Sequence, residues 1–306
     1  MIRRRSPLQI VIFVLLLLVA TVWSIFPFLW ALRNSIMRLQ DTYKPWFIPF
    51  VQFKPTLATW RSELTGQSGL VSAASHSLIV ALVSTALALV LGTLAGYALA
   101  RFRYRYPDNL NLSIWFLSQR FLPPAVVIVP FLLMMRAGCS PVDLWGLHLP
   151  QPLQLACMAT GSRTLLNNLT SVVIAHTTFN MPFVVLIMRS IFRELPFELE
   201  EAALVDGANR MQTFWLVAMP LAAAGLVAAG LICFAFSWNE FLFALILTGP
   251  TTQTLPLLIG SGTGVQGIQF NVISVRTLVA ILPPVVAALL AQRYVVRGLT
   301  FGAVKG

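Results

Sequence analysis

Long apolar runs alternate with short polar connectors along this chain. Six runs reach the roughly twenty residues that a membrane-crossing helix needs. They fall near 8–31, 75–100, 112–135, 171–192, 214–246 and 277–295. All six predict helices, because lipid offers no hydrogen-bond partner to a backbone that lacks internal bonds. The first run follows Arg3-Arg4-Arg5 and is too long for the apolar part of a signal peptide, so it reads as a retained span. The fifth holds a span to about Ser237 and then a partly shielded piece, "WNEFLFALIL".

Basic residues collect at the ends of these runs. With the N-terminus inside, the inner segments hold twelve of the twenty-one Lys and Arg, and the short loop "ARFRYRYPDN" is the clearest inside marker. Both termini are then cytoplasmic. Outer segments lie near 33–74, 136–170 and 247–276. The last, "LTGPTTQTLPLLIGSGTGVQG", reads equally as a loop dipping toward a pore or as a flexible connector. A division follows into a first span with its outer loop (1–74), a core (75–295) and a tail (296–306).

Composition agrees with the pattern. The chain is 58% hydrophobic and 10% charged, with mean hydropathy +0.81. A soluble domain carries about 25% charged residues, so a soluble globule is excluded. The net charge of +11 belongs to membrane topology, and no basic stripe interleaved with aromatics points to nucleic acid. Three cysteines and three histidines have no metal-ligand spacing, so no metal or cofactor is expected in the chain.

One stretch breaks the pattern. "ELEEAALVDGANR" puts four acids within nine residues, in a chain that has ten. It lies on the inner side between the fourth and fifth runs, inside a loop near 194–213. Pro196 suits a first helical turn. Glu198, Glu200 and Glu201 suit the positive end of the helix dipole, and Gly207 can take the left-handed conformation that stops the helix. The expectation is a helix of about eleven residues, roughly 16 Å long. Leu199, Ala202, Ala203 and Asp206 gather near one face. That shallow face either docks on the chain's own domain or receives another protein.

The spacing within this stretch is specific. Glu201-Ala202-Ala203, three residues, Gly207, nine residues, then Val217-x-Met219-Pro220 resembles the EAA signature of ATP-binding-cassette (ABC) importer permeases. Val and Met replace the usual Ile and Leu. Further likeness lies in "LPP" (122–124), "FNMPF" (179–183), "SWNEFLFAL" (237–245) and the tail "QRYVVRGLTFGAVKG". The whole chain is similar to the second, shorter permease subunit of maltose-type carbohydrate importers. The resemblance implies an all-α, polytopic, type I importer permease in a bacterial inner membrane. It implies three kinds of partner: a second homologous permease forming a heterodimer, two ATPase subunits that carry ATP and Mg, and a periplasmic or lipid-anchored solute-binding protein. Glu198, Glu201, Ala202, Ala203, Asp206 and Gly207 would form the helix that docks on an ATPase, with Lys305 reaching into the ATPase dimer. None of the three lysines sits in a Gly-Lys-Ser/Thr phosphate loop, so ATP hydrolysis is expected in another chain and this one is not an enzyme.

Cys139 to Arg163 departs from the family as an insertion of about 25 residues. Cys139 and Cys157 would pair there in an oxidising compartment, or the segment is a plain outer loop.

Charges inside membranes are costly, about 2.5–3.5 kcal/mol at a helix centre. Arg120 and Glu240 are therefore candidates for the solute path. Arg120 either pairs with Glu240, meets an anionic group on the solute, or snorkels. Gln119, Asn180, Trp238 and Asn239 could add hydroxyl contacts and an aromatic face, with helix breaks at Pro123-Pro124 and Pro182 freeing carbonyls. The competing function is an ion-coupled secondary transporter, which would carry inverted repeats and several intramembrane acids. A membrane-embedded enzyme would need a catalytic cluster that the runs lack.

Overall fold

The computed structural model describes residues 7–66, 68–137, 143–144, 147–148, 164–264 and 267–302. Lys305, Cys139, Cys157 and the proposed Cys139–Cys157 pair lie outside them. Of the insertion, the described part is a hairpin of β1 (Asp143–Leu144) antiparallel to β2 (Leu147–His148).

The chain forms two compact units, one of Met1–Val71 with Leu258–Leu282, the other of Ser72–Leu257 with Pro283–Gly306. The first contains α1 (Pro7–Ser35), α2 (Leu39–Thr42), α3 (Ala58–Leu64), the β3–β4 hairpin (Thr263–Gly264 with Gly267–Ile268) and the start of α13 (Phe270–Gly302). Helix α1 is apolar on every side, and its large side chains are exposed from Leu8 to Leu32. Such a helix is stable only in lipid or against another subunit. At its end the Arg33 guanidinium donates to the Lys44 and Trp46 carbonyls and rests 4.5 Å from the Trp30 ring, folding the following loop back on the helix. Deeper in this unit, Arg276 of α13 meets Glu63 of α3 at 2.8 Å and donates to the Leu258 carbonyl at 2.7 Å. The linear division at residue 74 does not anticipate this joining of residues 258–282 to the N-terminal segment.

The second unit contains most of α4 (Leu70–Arg101), then α5 (Asn109–Phe121) and α6 (Pro124–Ala137), which are bent by 94° at Leu122–Pro123. Next come α7 (Leu169–Glu194), α8 (Glu198–Val205), α9 (Arg210–Thr213), a π-helical turn (Phe214–Ala218), α10 (Met219–Asn239), α11 (Leu242–Leu247) and the start of α12 (Leu255–Gly260). Five helices among the described residues are long and apolar enough to cross a membrane, and the bent α5–α6 pair makes a sixth segment. The proline break at 123–124 is as expected. Pro182 is not a break: α7 continues through it, as transmembrane helices allow when their neighbours satisfy the freed groups.

Helix α7 is the axis of this unit. Gly92 and Gly96 form a small-x₃-small face on α4, and a side chain at Gly92 would put its Cβ 2.6 Å from the Val184 Cβ on α7. A Cβ at Gly96 would lie 2.9 Å from the Val185 carbonyl. Without a hydrophobic drive between helices in lipid, such close backbone approach supplies the packing. One buried cluster gathers Ala88, Tyr97, Val184, Met188, Phe192 and Phe214 near the inner end, and another gathers Val80, Ile128, Val172, Phe243 and Leu247 near the outer end. The 247–276 segment begins as an anchored structure, not a slack connector: the Leu255 N–H donates to Ser77 Oγ at 2.7 Å, and His76 Nδ1 lies 3.0 Å from the Gln253 carbonyl.

Gly92→Ala should cost about 1–3 kcal/mol by overpacking, read as a lower thermal midpoint of the purified protein in detergent. Gly230→Ala should cost less, because the nearest atom to its new Cβ is the mobile Leu89 Cδ1 at 3.2 Å.

Candidate functional site

Two features of the second unit carry candidate chemistry. The first is the acidic helix. Leu195 is extended, as a residue before proline tends to be, so α8 starts at Glu198 and spans eight residues instead of the expected eleven. Its C-terminus closes as a Schellman turn: Gly207 N–H donates to the Leu204 carbonyl at 3.1 Å and Ala208 N–H to the Ala203 carbonyl at 3.0 Å. Gly207 has φ +91° with no atom near its missing Cβ, so backbone conformation alone demands glycine.

The inward side of α8 is held by a residue the sequence did not single out. Glu200 is buried, 2% exposed. Its carboxylate accepts from Tyr97 Oη and from Arg101 Nε, both at 2.8 Å, and Arg101 also donates to the Leu195 carbonyl. Tyr97 packs edge-on to Phe192 and tilted against Phe214. The end of α4 thus grips the acidic loop. Three neighbouring glutamates look alike in the sequence. The available signal was phase: Glu200 shares a helix face with Ala203 and Leu204 at three-and-four spacing, and these are the less exposed residues of α8.

With Glu200 turned in, Glu198, Leu199, Glu201, Ala202, Val205, Asp206 and Gly207 are exposed, and Ala203 is half-buried. Val205 is 87% exposed. The result is a small apolar patch of Leu199, Ala202 and Val205 rimmed by three acids.

The second feature is a cleft of about 190 Å³ between the α5–α6 bend, α7 and the end of α10. Arg120, Asn180 and Glu240 from the sequence reading meet there, joined by His176, Phe179, Phe236 and Ser237. Glu240 does not pair with Arg120. Its carboxylate accepts from the Phe243 N–H at 2.9 Å and the Ala244 N–H at 3.2 Å, capping α11, and lies 3.1 Å from His176 Nε2. The first-turn N–H groups of α11 hold these oxygens locally. Arg120 instead lies 4.1 Å from the Phe183 ring and 4.7 Å from the Phe236 ring. Asn180 donates to Ser237 Oγ at 2.8 Å, and Ser237 lies 2.9 Å from Ser84 Oγ. Trp238 points elsewhere, buried and stacked on Phe234. Asn239 is exposed and donates back to the Ala235 carbonyl. Gln119 is half-buried and does not line the cleft. Among the described residues, no group of three or more His, Cys, Asp or Glu is placed to hold a metal ion.

Residues 88–301 match the family model described as the binding-protein-dependent transport system inner membrane component. The chain is 33% identical over 285 residues to the sulfoquinovosyl glycerol transport system permease protein SmoH of Agrobacterium fabrum, covering 92% of this chain and 90% of that one. It is 32% identical to the trehalose transport system permease protein SugB of Mycobacterium tuberculosis, over 93% of each chain. It is 27% identical to the trehalose/maltose transport system permease protein MalG of Thermococcus litoralis, over 99% of each. In fold it is similar to a chain of a bacterial ABC transporter that imports the acidic polysaccharide alginate, with TM-score 0.66 at 18% identity, over 96% of this chain and 99% of that one.

Glu200→Ala strands Arg101 with no carboxylate, and breaking a buried pair costs about 3–5 kcal/mol. Limited proteolysis should then cut between residues 195 and 210 faster than in the wild type. The double change Arg101→Met with Glu200→Leu should restore most of the protection.

Proposed function

The chain belongs to the family of binding-protein-dependent transport system inner membrane components, and we propose that it moves a sugar or sugar-like solute into the cytoplasm as one permease subunit of an ATP-driven importer. The sugar class rests on relatives whose names specify sulfoquinovosyl glycerol, trehalose and trehalose/maltose. The membrane is the bacterial inner membrane. The partners are a second, homologous permease, two ATPase subunits holding ATP and Mg, and a solute-binding protein outside.

The observation that carries this reading is the exposed α8 surface. A charged helix of eight residues cannot span lipid. Its Leu199–Ala202–Val205 patch is shallow enough for another protein to pack closely, and its acids suit a basic rim on that partner. The patch takes the ATPase. Because Glu200 ties α8 to Arg101 and Tyr97 at the end of α4, a push on α8 passes into the spans without slack. The π turn at Phe214–Ala218, next to Pro220, gives α10 a place to adjust as the loop moves. The cleft around Arg120, Asn180 and Glu240 then lies on the solute path, opened alternately to each side.

Purified together with its ATPase and binding protein in vesicles, the transporter should accumulate its sugar only with ATP, and vanadate should block uptake. Uptake driven by an ion gradient alone would establish the secondary-transporter reading instead. Gly207→Val forces a β-branched residue to φ +91° at a cost of about 1–3 kcal/mol. It should cut solute uptake at least tenfold while leaving basal ATP hydrolysis measurable. Uptake coupled as in the wild type would remove α8 as the point of coupling.

A further inference from the structure

Of the ionic side chains that line the cleft, Arg120 is the exception; Arg189 of α7, whose Nε also lacks a partner among the described residues, does not line it. Glu200 is saturated by Tyr97 and Arg101, and Glu240 by two backbone N–H groups and His176. Arg120 has five N–H donors, and among the described residues none of them finds a carboxylate, carbonyl or hydroxyl acceptor. Its contacts are two phenyl rings, Phe183 and Phe236, themselves stacked 5.2 Å apart. Ring faces attract a cation, but they accept none of its in-plane hydrogen bonds. They hold the guanidinium in place and leave its donors free toward the cleft.

Its depth sharpens the point. Arg120 is twelve positions past the Asp108 cap of α5, about 18 Å along the helix at 1.5 Å per residue. That length exceeds half of a hydrocarbon layer of about 30 Å. Arg120 is also one residue before the end of α5 and four before Pro124, which lines the same cleft. The chain therefore breaks a span, bends it by 94°, and places a caged cation at the bend. Asn180 and Ser237 line the same cleft and are hydrogen-bonded to each other, with Ser84 behind Ser237.

We propose that Arg120 is the anion subsite of the solute path, and that the transported solute is an acidic sugar whose carboxylate, phosphate or sulfonate group pairs with the Arg120 guanidinium in passage. The inference rests on the permease reading above and narrows it from sugars to acidic sugars. A planar fork of N–H donors matches a two-oxygen face of any of these anions. Glu240 faces the same cleft but is committed to the α11 cap and His176, so it limits how long the anion stays without occupying the guanidinium. A neutral sugar would offer the guanidinium hydroxyl acceptors but no charge to balance it, and the weaker bonds that follow.

The test uses the whole transporter, with both permeases and the ATPase subunits assembled, in detergent. Glucose is compared with three probes that differ from it only at carbon six: glucuronate, glucose 6-phosphate and 6-deoxy-6-sulfoglucose. Stabilisation is followed as the shift in thermal midpoint with probe concentration, at constant ionic strength. At least one acidic probe should stabilise the wild type at concentrations at least tenfold below those glucose requires. Arg120→Gln should erase that difference, Arg120→Lys should keep part of it, and the preferred probe identifies the anion. Equal responses to acidic and neutral probes, no response to any probe, or an unchanged preference in Arg120→Gln would each overturn the proposal. Co-elution with the ATPase and basal ATP hydrolysis are scored on the same samples. If both are intact while the anion preference is missing, the subsite is wrong and the permease reading stands; if the wild type never binds an ATPase, the permease reading itself fails.

Discussion

Hydrocarbon has no hydrogen-bond donors or acceptors to lend, so a polar side chain turned inward in this chain is stabilised by a partner within the protein, and most of those described find one, with Arg120 and the Arg189 Nε among the exceptions. That constraint accounts for where the polar groups sit. Arg276 closes on Glu63 and the Leu258 carbonyl, which joins residues 258–282 to the N-terminal segment. Asn180, Ser237 and Ser84 satisfy one another between α7, α10 and α4. Glu240 is spent on capping α11. Tyr97 and Arg101 close on Glu200 at the boundary where the helices meet the acidic loop.

These contacts depend on how closely the helices approach. Gly92 and Gly96 bring α4 so near α7 that a methyl group would collide with Val184 or the Val185 carbonyl. That approach carries Tyr97 and Arg101 to the end of α7, within reach of the loop that follows it. The grip on Glu200 then orients α8. One side of an eight-residue helix is fixed to the spans, and the other, with Leu199, Ala202 and Val205, is left for a partner. The same sequence stretch is both a fastening and a docking face.

Much of this was legible before any coordinates. The six apolar runs, the break at Pro123-Pro124 and the short acidic helix ending at Gly207 follow from local rules: hydrocarbon thickness, the missing proline N–H and the left-handed turn. The EAA spacing resembled a family to which the chain belongs. What failed was nonlocal. Pro182 was expected to break α7 and does not: the helix runs unbroken from Leu169 to Glu194. An Arg120–Glu240 pair was one of three placements open for Arg120, and it does not form: backbone N–H groups two and three residues along α11 hold Glu240. Trp238 and Asn239 were expected in the cleft, yet helix phase turns one into the core and the other outward.

The sequence by itself determined the class of protein, its spans and the position of its acidic helix, because each depends on residues near one another along the chain. Only the tertiary structure decided which of three neighbouring glutamates is buried, which cation lines the cleft without a carboxylate, and that residues far apart complete the N-terminal unit. Those outcomes depend on the rotation and approach of whole helices. No periodicity in the sequence records those distances.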